Sequence, residues 1–153
     1  MDYNQKVKEF LNLKNIAIAG VSRNPKTEVG NAIYKKFKES GYNVFPINPN
    51  ADVIEGDKCY PNLSVISEKV EGVFVATRPE ISLTIANQCK ELGISKMWLH
   101  STLGNGSFYQ GTVDFCKENG ISLIEKGCPM LHLNPVDGGH KVIRFFLKLF
   151  RKI

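Results

Sequence analysis

I-A-I-A-G-V-S-R-N-P-K-T-E-V-G-N, residues 16–31, joins a short apolar run to the start of an amphipathic one through a polar loop bounded by glycines. Ile16–Ala19 has the length and composition of a strand buried on both faces. Gly20 ends that strand, and a helix opens near Gly30. A helix N-terminus carries unpaired backbone N–H groups and the positive end of the helix dipole, which together make a phosphate site. Gly20 and Val21 let the backbone approach a ligand closely. Ser22 and Asn24 are placed to donate to phosphate oxygens, and Arg23 and Lys26 add positive charge. The plainer reading of the same residues is an ordinary strand-to-helix turn with a tight glycine.

Outward from this unit, short apolar runs recur at Val44–Ile47, Val73–Ala76, Met97–Leu99 and Ile121–Ile124. Their spacing is close to that of a βαβ unit. Helical patterns lie between them. Val29–Ser40 carries Val29, Ile33 and Phe37 on one face and stops at Gly41. A second helix starts at Pro79, buries Ile81, Ile85, Cys89 and Leu92, and stops at Gly93. A third runs from Ser107 to Asn119 with Phe108, Thr112, Phe115 and Cys116 inward, ending before Gly120. A small amphipathic helix with Val7, Phe10 and Leu11 leads in, and a short helix fits 63–67. The alternation predicts an α/β, Rossmann-like three-layer α/β/α fold with a five-stranded, mainly parallel sheet.

With 153 residues, 42% of them hydrophobic and 23% charged, the chain has the size and make-up of one globular domain. No apolar run reaches the roughly 20 residues of a bilayer span, and the first residues lack the apolar core of a signal peptide. A cytoplasmic location is expected. Cys59, Cys89, Cys116 and Cys128 form no C-x-x-C pair and have no histidine at ligand spacing, so they are expected to be free thiols, mostly in the core, with no metal site. The net charge of +5 is matched by five basic residues and no acid between Lys141 and Ile153. The remainder is neutral, and basic residues and aromatics are not interleaved as in a single-strand nucleic-acid binder.

The first loop is not G-x-G-x-x-G. At the end of the second strand, where NAD enzymes carry an acid for the ribose diol, this chain has Asn48-Pro49-Asn50. A carboxylate there repels a ribose phosphate, and an amide does not. That argument suits any phosphorylated adenosine, NADP included.

G-V-S-R-N-P…G-N at 20–31, Y-N-V-F-P-I-N-P-N at 42–50, G-x-x-C-Y-P-x-L at 56–63, T-R-P-E at 77–80 and G-C-P-M at 127–130 resemble the stand-alone coenzyme A (CoA)-binding domain proteins. These are related to the CoA-binding domain of the succinyl-CoA synthetase alpha subunit and of ADP-forming acyl-CoA synthetases. The resemblance covers about residues 12–131. It implies coenzyme A or acyl-CoA as the cofactor, held along the carboxyl ends of the first three strands. Ser22 and Arg23 match positions near the pyrophosphate. Asn48 and Pro49 match the segment beside the adenine and 3′-phosphate, and Thr77, Arg78 and Pro79 match the loop on the other side. Arg78 departs from the neutral residue common there. It either strengthens phosphate binding or pairs with Glu80.

Two further residues invite chemistry. His100 replaces the family's glutamine after the fourth strand. It reads as a catalytic group or, with no nucleophile or carboxylate partner in view, as a ligand-lining or hydrogen-bonding side chain. Cys128 reads as a redox partner for the pantetheine thiol or as a buried structural thiol. Residues 141–153 form a basic amphipathic pattern, set off from a domain at 1–140, that fits a helix docked on the domain, on a second copy or on a partner subunit. A membrane surface is the rival occupant. No triad, metal cluster or carboxylate pair is visible, so the expected function is non-catalytic binding or sensing of CoA. An NAD(P)-binding sensor or reductase, and a CoA-ligase subunit needing a separate catalytic chain, are the alternatives.

Overall fold

The computed structural model describes residues 1–24, 29–101, 104 and 106–133. The amphipathic segment 141–153, its boundary at 140 and the loop residue Lys26 lie outside the described residues.

Helix α1 (Tyr3–Leu11) begins at Asp2, whose side chain accepts from the Gln5 N–H at 2.8 Å. Strand β1 (Asn15–Ala19), helix α2 (Val29–Glu39) and strand β2 (Asn43–Ile47) follow. A small antiparallel hairpin then pairs β3 (Val53–Ile54) with β4 (Asp57–Lys58). Beyond it come β5 (Gly72–Val75), α3 (Pro79–Glu91), β6 (Lys96–Leu99), α4 (Gln110–Glu118) and β7 (Ser122–Ile124). Single 3-10 turns occupy Leu63–Val65 and Pro129–Leu131.

The main sheet has the order β2-β1-β5-β6-β7, and every neighbouring pair is parallel. Side chains alternate across it, as a strand's period of two requires. Ile18, Phe74, Trp98 and Ile124 form one row and pack under α1 and α2, against Phe10, Ile33 and Phe37. Ala17, Val73, Met97 and Leu123 form the opposing row and pack under α3 and α4, against Ile85, Cys89 and Cys116. The two cores make the layers α1/α2, sheet, and α3/α4. Trp98 anchors the first, with Phe10 edge-on at 5.4 Å and its Nε1 donating to the Lys126 carbonyl at 3.2 Å.

The expected five strands and three layers are present, each strand within a residue of its predicted bounds, and all four cysteines are buried free thiols. Several details differ. Ile81 and Leu92 are exposed rather than buried, because the buried stripe of α3 is Ser82, Ile85, Ala86 and Cys89, and Val29, at the first position of α2, is exposed as well. The predicted start of α4 at Ser107 moves to Gln110. The Ser107 hydroxyl donates to the Thr77 carbonyl at 2.7 Å and so does not cap the helix. The β3–β4 hairpin was not expected.

The chain runs from β1 to β2 on one side, then crosses to β5 on the other side of β1. Connections diverge at the carboxyl ends of β1 and β5, which is where open α/β sheets leave a ligand crevice.

Candidate functional site

A cleft of about 600 Å³ opens at that divergence, within the range of small-molecule sites. The first loop contributes Gly20 and Val21, the end of β2 contributes Asn48, Pro49 and Asn50, and the end of β5 contributes Thr77 and Arg78. These seven sequence-predicted residues therefore come together from three chain segments.

Gly20 is indispensable to the crossing. Its φ is +100°, and a Cβ there would lie 2.3 Å from the Ala76 carbonyl oxygen. The chains leaving β1 and β5 touch at this point through backbone alone. Gly30 acts in the same way one layer out, since a Cβ on it would lie 2.1 Å from the Gly20 carbonyl oxygen. The first turn of α2 is thereby seated against the end of β1, which brings its N–H groups to the turn. Gly30 thus packs directly on the end of β1.

A buried asparagine clamps the loop. Asn31, 1% exposed, accepts from the Ser22 N–H at 2.7 Å through Oδ1 and donates to the Ser22 carbonyl at 2.8 Å through Nδ2. The same Nδ2 donates to Glu55 at the hairpin tip at 3.0 Å. That bond, with Lys35 alongside, holds the Glu55 carboxyl below its ordinary value despite some opposing desolvation. Glu55 has a φ of +53° and Gly56 one of +82°, the pair of positive values that a tight two-residue hairpin turn demands. Asn24 donates its N–H to the Ser22 hydroxyl at 3.1 Å, and Arg23 is exposed.

Asn48 ties the second segment to the first. Its Nδ2 donates to the Val21 carbonyl at 2.8 Å, while its Oδ1 accepts from the Asn50 N–H at 2.8 Å. An aspartate could replace only the second of these bonds. The amide at this position therefore has a structural reason besides tolerance of a phosphate. Tyr60 extends the edge of β2 by donating to the Pro46 carbonyl and accepting from the Asn48 N–H, both at 2.9 Å, which delivers Pro61 to the cleft.

Helix α3 forms the far wall. Ile81, Thr84, Ile85 and Gln88 recur at helical spacing and face the cleft, which is why Ile81 is 43% exposed. Arg78 and Glu80 both border the cleft, and among the described residues they form no ion pair with each other. Ser22, Arg23, Asn24, Pro79 and His100 do not line this cleft as it stands. His100 donates its N–H to the Val75 carbonyl at 2.8 Å, and its ring meets Phe74 at 6.1 Å. Cys128 is buried in the core beneath α1 and α2. Among the described residues no group of histidine, cysteine and carboxylate side chains could hold a metal ion, and no helix is long and apolar enough to cross a membrane.

Asn31, Ser107 and Gln88 were not singled out from sequence. Lone polar side chains carry no periodic signal, and only the segments they pair with reveal what they hold.

Residues 14–134 match the family model described as CoA binding domain. An uncharacterized Bacillus subtilis protein, YneT, is 29% identical over 123 residues, covering 80% of this chain and 87% of its own. The ADP-forming acetate–CoA ligase II of Archaeoglobus fulgidus is 31% identical over 83 residues, covering 53% of this chain. The matched part is 12% of that ligase's length. A hypothetical protein from Pyrococcus horikoshii has the same fold, with a TM-score of 0.75, 24% identity, and 84% and 87% of the two chains covered.

Proposed function

We propose that this chain, which belongs to the CoA-binding domain family, holds coenzyme A or an acyl-CoA non-covalently by its ADP and 3′-phosphate portion. One observation carries the reading. The cleft lies where β1 and β5 part, bordered by the Gly20–Val21 backbone, and the close Gly30–Gly20 contact seats the first turn of α2 against that same turn, a place a diphosphate can approach. The diphosphate sits at Gly20–Asn24 and the first turn of α2, with Arg23, Arg78 and Lys26 supplying charge. The adenosine lies between Asn48–Asn50 and α3.

The role is binding or sensing, with no chemistry on this chain. A side chain that only caps and braces, as Asn31 and Asn48 do, prepares a surface and transfers no proton. His100 and Cys128 keep structural roles in this account.

Calorimetric titration with CoA, dephospho-CoA, NAD and NADP in parallel tests the reading. CoA binds tightest, and loss of the 3′-phosphate costs about 1.5–3 kcal/mol, the worth of a charge-assisted contact. Tighter binding of NAD or NADP would replace this reading with that of a nicotinamide-nucleotide sensor or reductase.

A second reading draws on the likeness to ADP-forming acetate–CoA ligase: a subunit that presents CoA to a separate catalytic chain. Ligase activity that appears only when such a chain is added supports it. Activity of this chain alone contradicts both.

A further inference from the structure

Gln88 lines the cleft on α3, one turn beyond Thr84 and Ile85. Its side-chain oxygen accepts from the Leu63 N–H at 3.0 Å. Leu63 offers a donor, so only the oxygen of the amide can face it, and the orientation of Gln88 is settled by its partner. The Nε2 group, a pure donor, is left on the other side, and among the described residues it makes no hydrogen bond. A two-hydrogen donor beside Ile81 and Ile85 on the cleft-facing side of α3 fits the edge of an aromatic ring that presents a lone pair.

We infer that Gln88 is a specificity residue that reads the base of the bound nucleotide, Nε2 donating to a ring nitrogen of adenine held against Ile81 and Ile85. This rests on the nucleotide reading of the cleft and adds which group recognises the base. The bond to Leu63 makes Gln88 a one-way reader. It cannot flip to offer its oxygen without leaving a backbone donor unpaired, so a base with a ring N–H at that point is refused. The same bond joins the 3-10 turn at Leu63–Val65 to α3 and so fixes the width of the recess.

The test uses adenosine 3′,5′-bisphosphate and three analogues in which ring N1, N3 or N7 is replaced by CH. All four carry the same charge. Each is titrated calorimetrically into the wild-type chain and into Gln88→Glu, which keeps an acceptor for Leu63 and loses the donor. Circular dichroism and the thermal midpoint establish that the variant is folded. In the wild type one of the three analogues binds weaker than the parent by roughly fivefold to tenfold, one hydrogen bond's worth. In Gln88→Glu all four weaken together, from the added charge, and that difference vanishes. The inference is overturned if no analogue is distinguished by the wild type, or if the difference survives in Gln88→Glu. In either case CoA binding stands and only the role of Gln88 falls. A wild-type chain that binds neither CoA nor the bisphosphate overturns both.

Discussion

Asn31 and Ser22 exchange two hydrogen bonds, Ser22 N–H to Oδ1 at 2.7 Å and Nδ2 to the Ser22 carbonyl at 2.8 Å. A side chain on the first turn of α2 thus satisfies both backbone groups of a loop residue, as a neighbouring strand would. The loop beside the cleft is held from α2 as well as by its own bond from the Asn24 N–H to the Ser22 hydroxyl. Asn31→Ala leaves a partly buried N–H and carbonyl without partners. It is expected to lower stability by about 1–3 kcal/mol in urea unfolding. CoA affinity should fall more than it does for a surface substitution of equal destabilisation. Wild-type affinity in Asn31→Ala would show that the loop does not meet the ligand.

Asn48 bridges the ends of β1 and β2 by donating to the Val21 carbonyl, and it braces its own turn by accepting from the Asn50 N–H. Asn48→Asp keeps the bond from the Asn50 N–H, sets a carboxylate against the Val21 carbonyl and adds a negative charge beside the cleft. The expected result is a loss of about 1–3 kcal/mol in stability and a larger loss in CoA binding than in binding of an uncharged adenosine. Thermal melts and parallel titrations measure the two. Equal losses for the two ligands would remove the phosphate from this neighbourhood.

Gly20 and Gly41 both have positive φ, +100° and +87°, but only Gly20 has backbone in the way of a Cβ. Gly41→Ala bears the left-handed penalty alone, about 1–2 kcal/mol. Gly20→Ala bears a comparable penalty and must also push apart the chains leaving β1 and β5, which adds about 1–3 kcal/mol of overpacking. Denaturant midpoints of the two variants compare the costs directly. Equal values would mean that the crossing is not as close as described.

The layers were legible because their signals are periodic. Ile16–Ala19, Val44–Ile47 and their counterparts are apolar on both faces, and Gly41, Gly93 and Gly120 mark where helices stop. The β3–β4 hairpin was not legible. Its strands are two residues long, and its turn begins with Glu55 where asparagine or aspartate would have announced it. In the site, the three segments that meet were readable from glycine, proline and asparagine at strand ends. What binds them together was not. Asn31 acts on the Ser22 backbone across the loop and Ser107 on the Thr77 carbonyl of another segment, and Gly30 matters for an atom it lacks. Ile81 fits a helical stripe equally well as core or as cleft wall, and only the divergence of β1 and β5 decides which it is.

Glu71 accepts from the Asn15 N–H at 2.9 Å and the Lys14 N–H at 2.8 Å, capping the start of β1. These bonds, the one from Asn15 foremost, hold its carboxyl below the ordinary value of 4.5. A carboxyl lowered in the folded state stabilises the fold at pH values above its unfolded value. The contribution is lost as the pH falls through the lower folded value. Glu71→Gln is therefore less stable than the wild type at neutral pH, and the gap closes in acid as the pH falls through the lowered folded value. Urea midpoints at several pH values test this. A gap that is constant with pH would assign the effect to packing.

The most direct test is a crystal structure of the complex with coenzyme A. The account predicts the diphosphate within hydrogen-bonding distance of backbone N–H groups from 20–24 and the first turn of α2, with the adenine between Asn48–Asn50 and α3. A diphosphate held elsewhere, with that turn in contact only with its own side chains or with solvent, would contradict it.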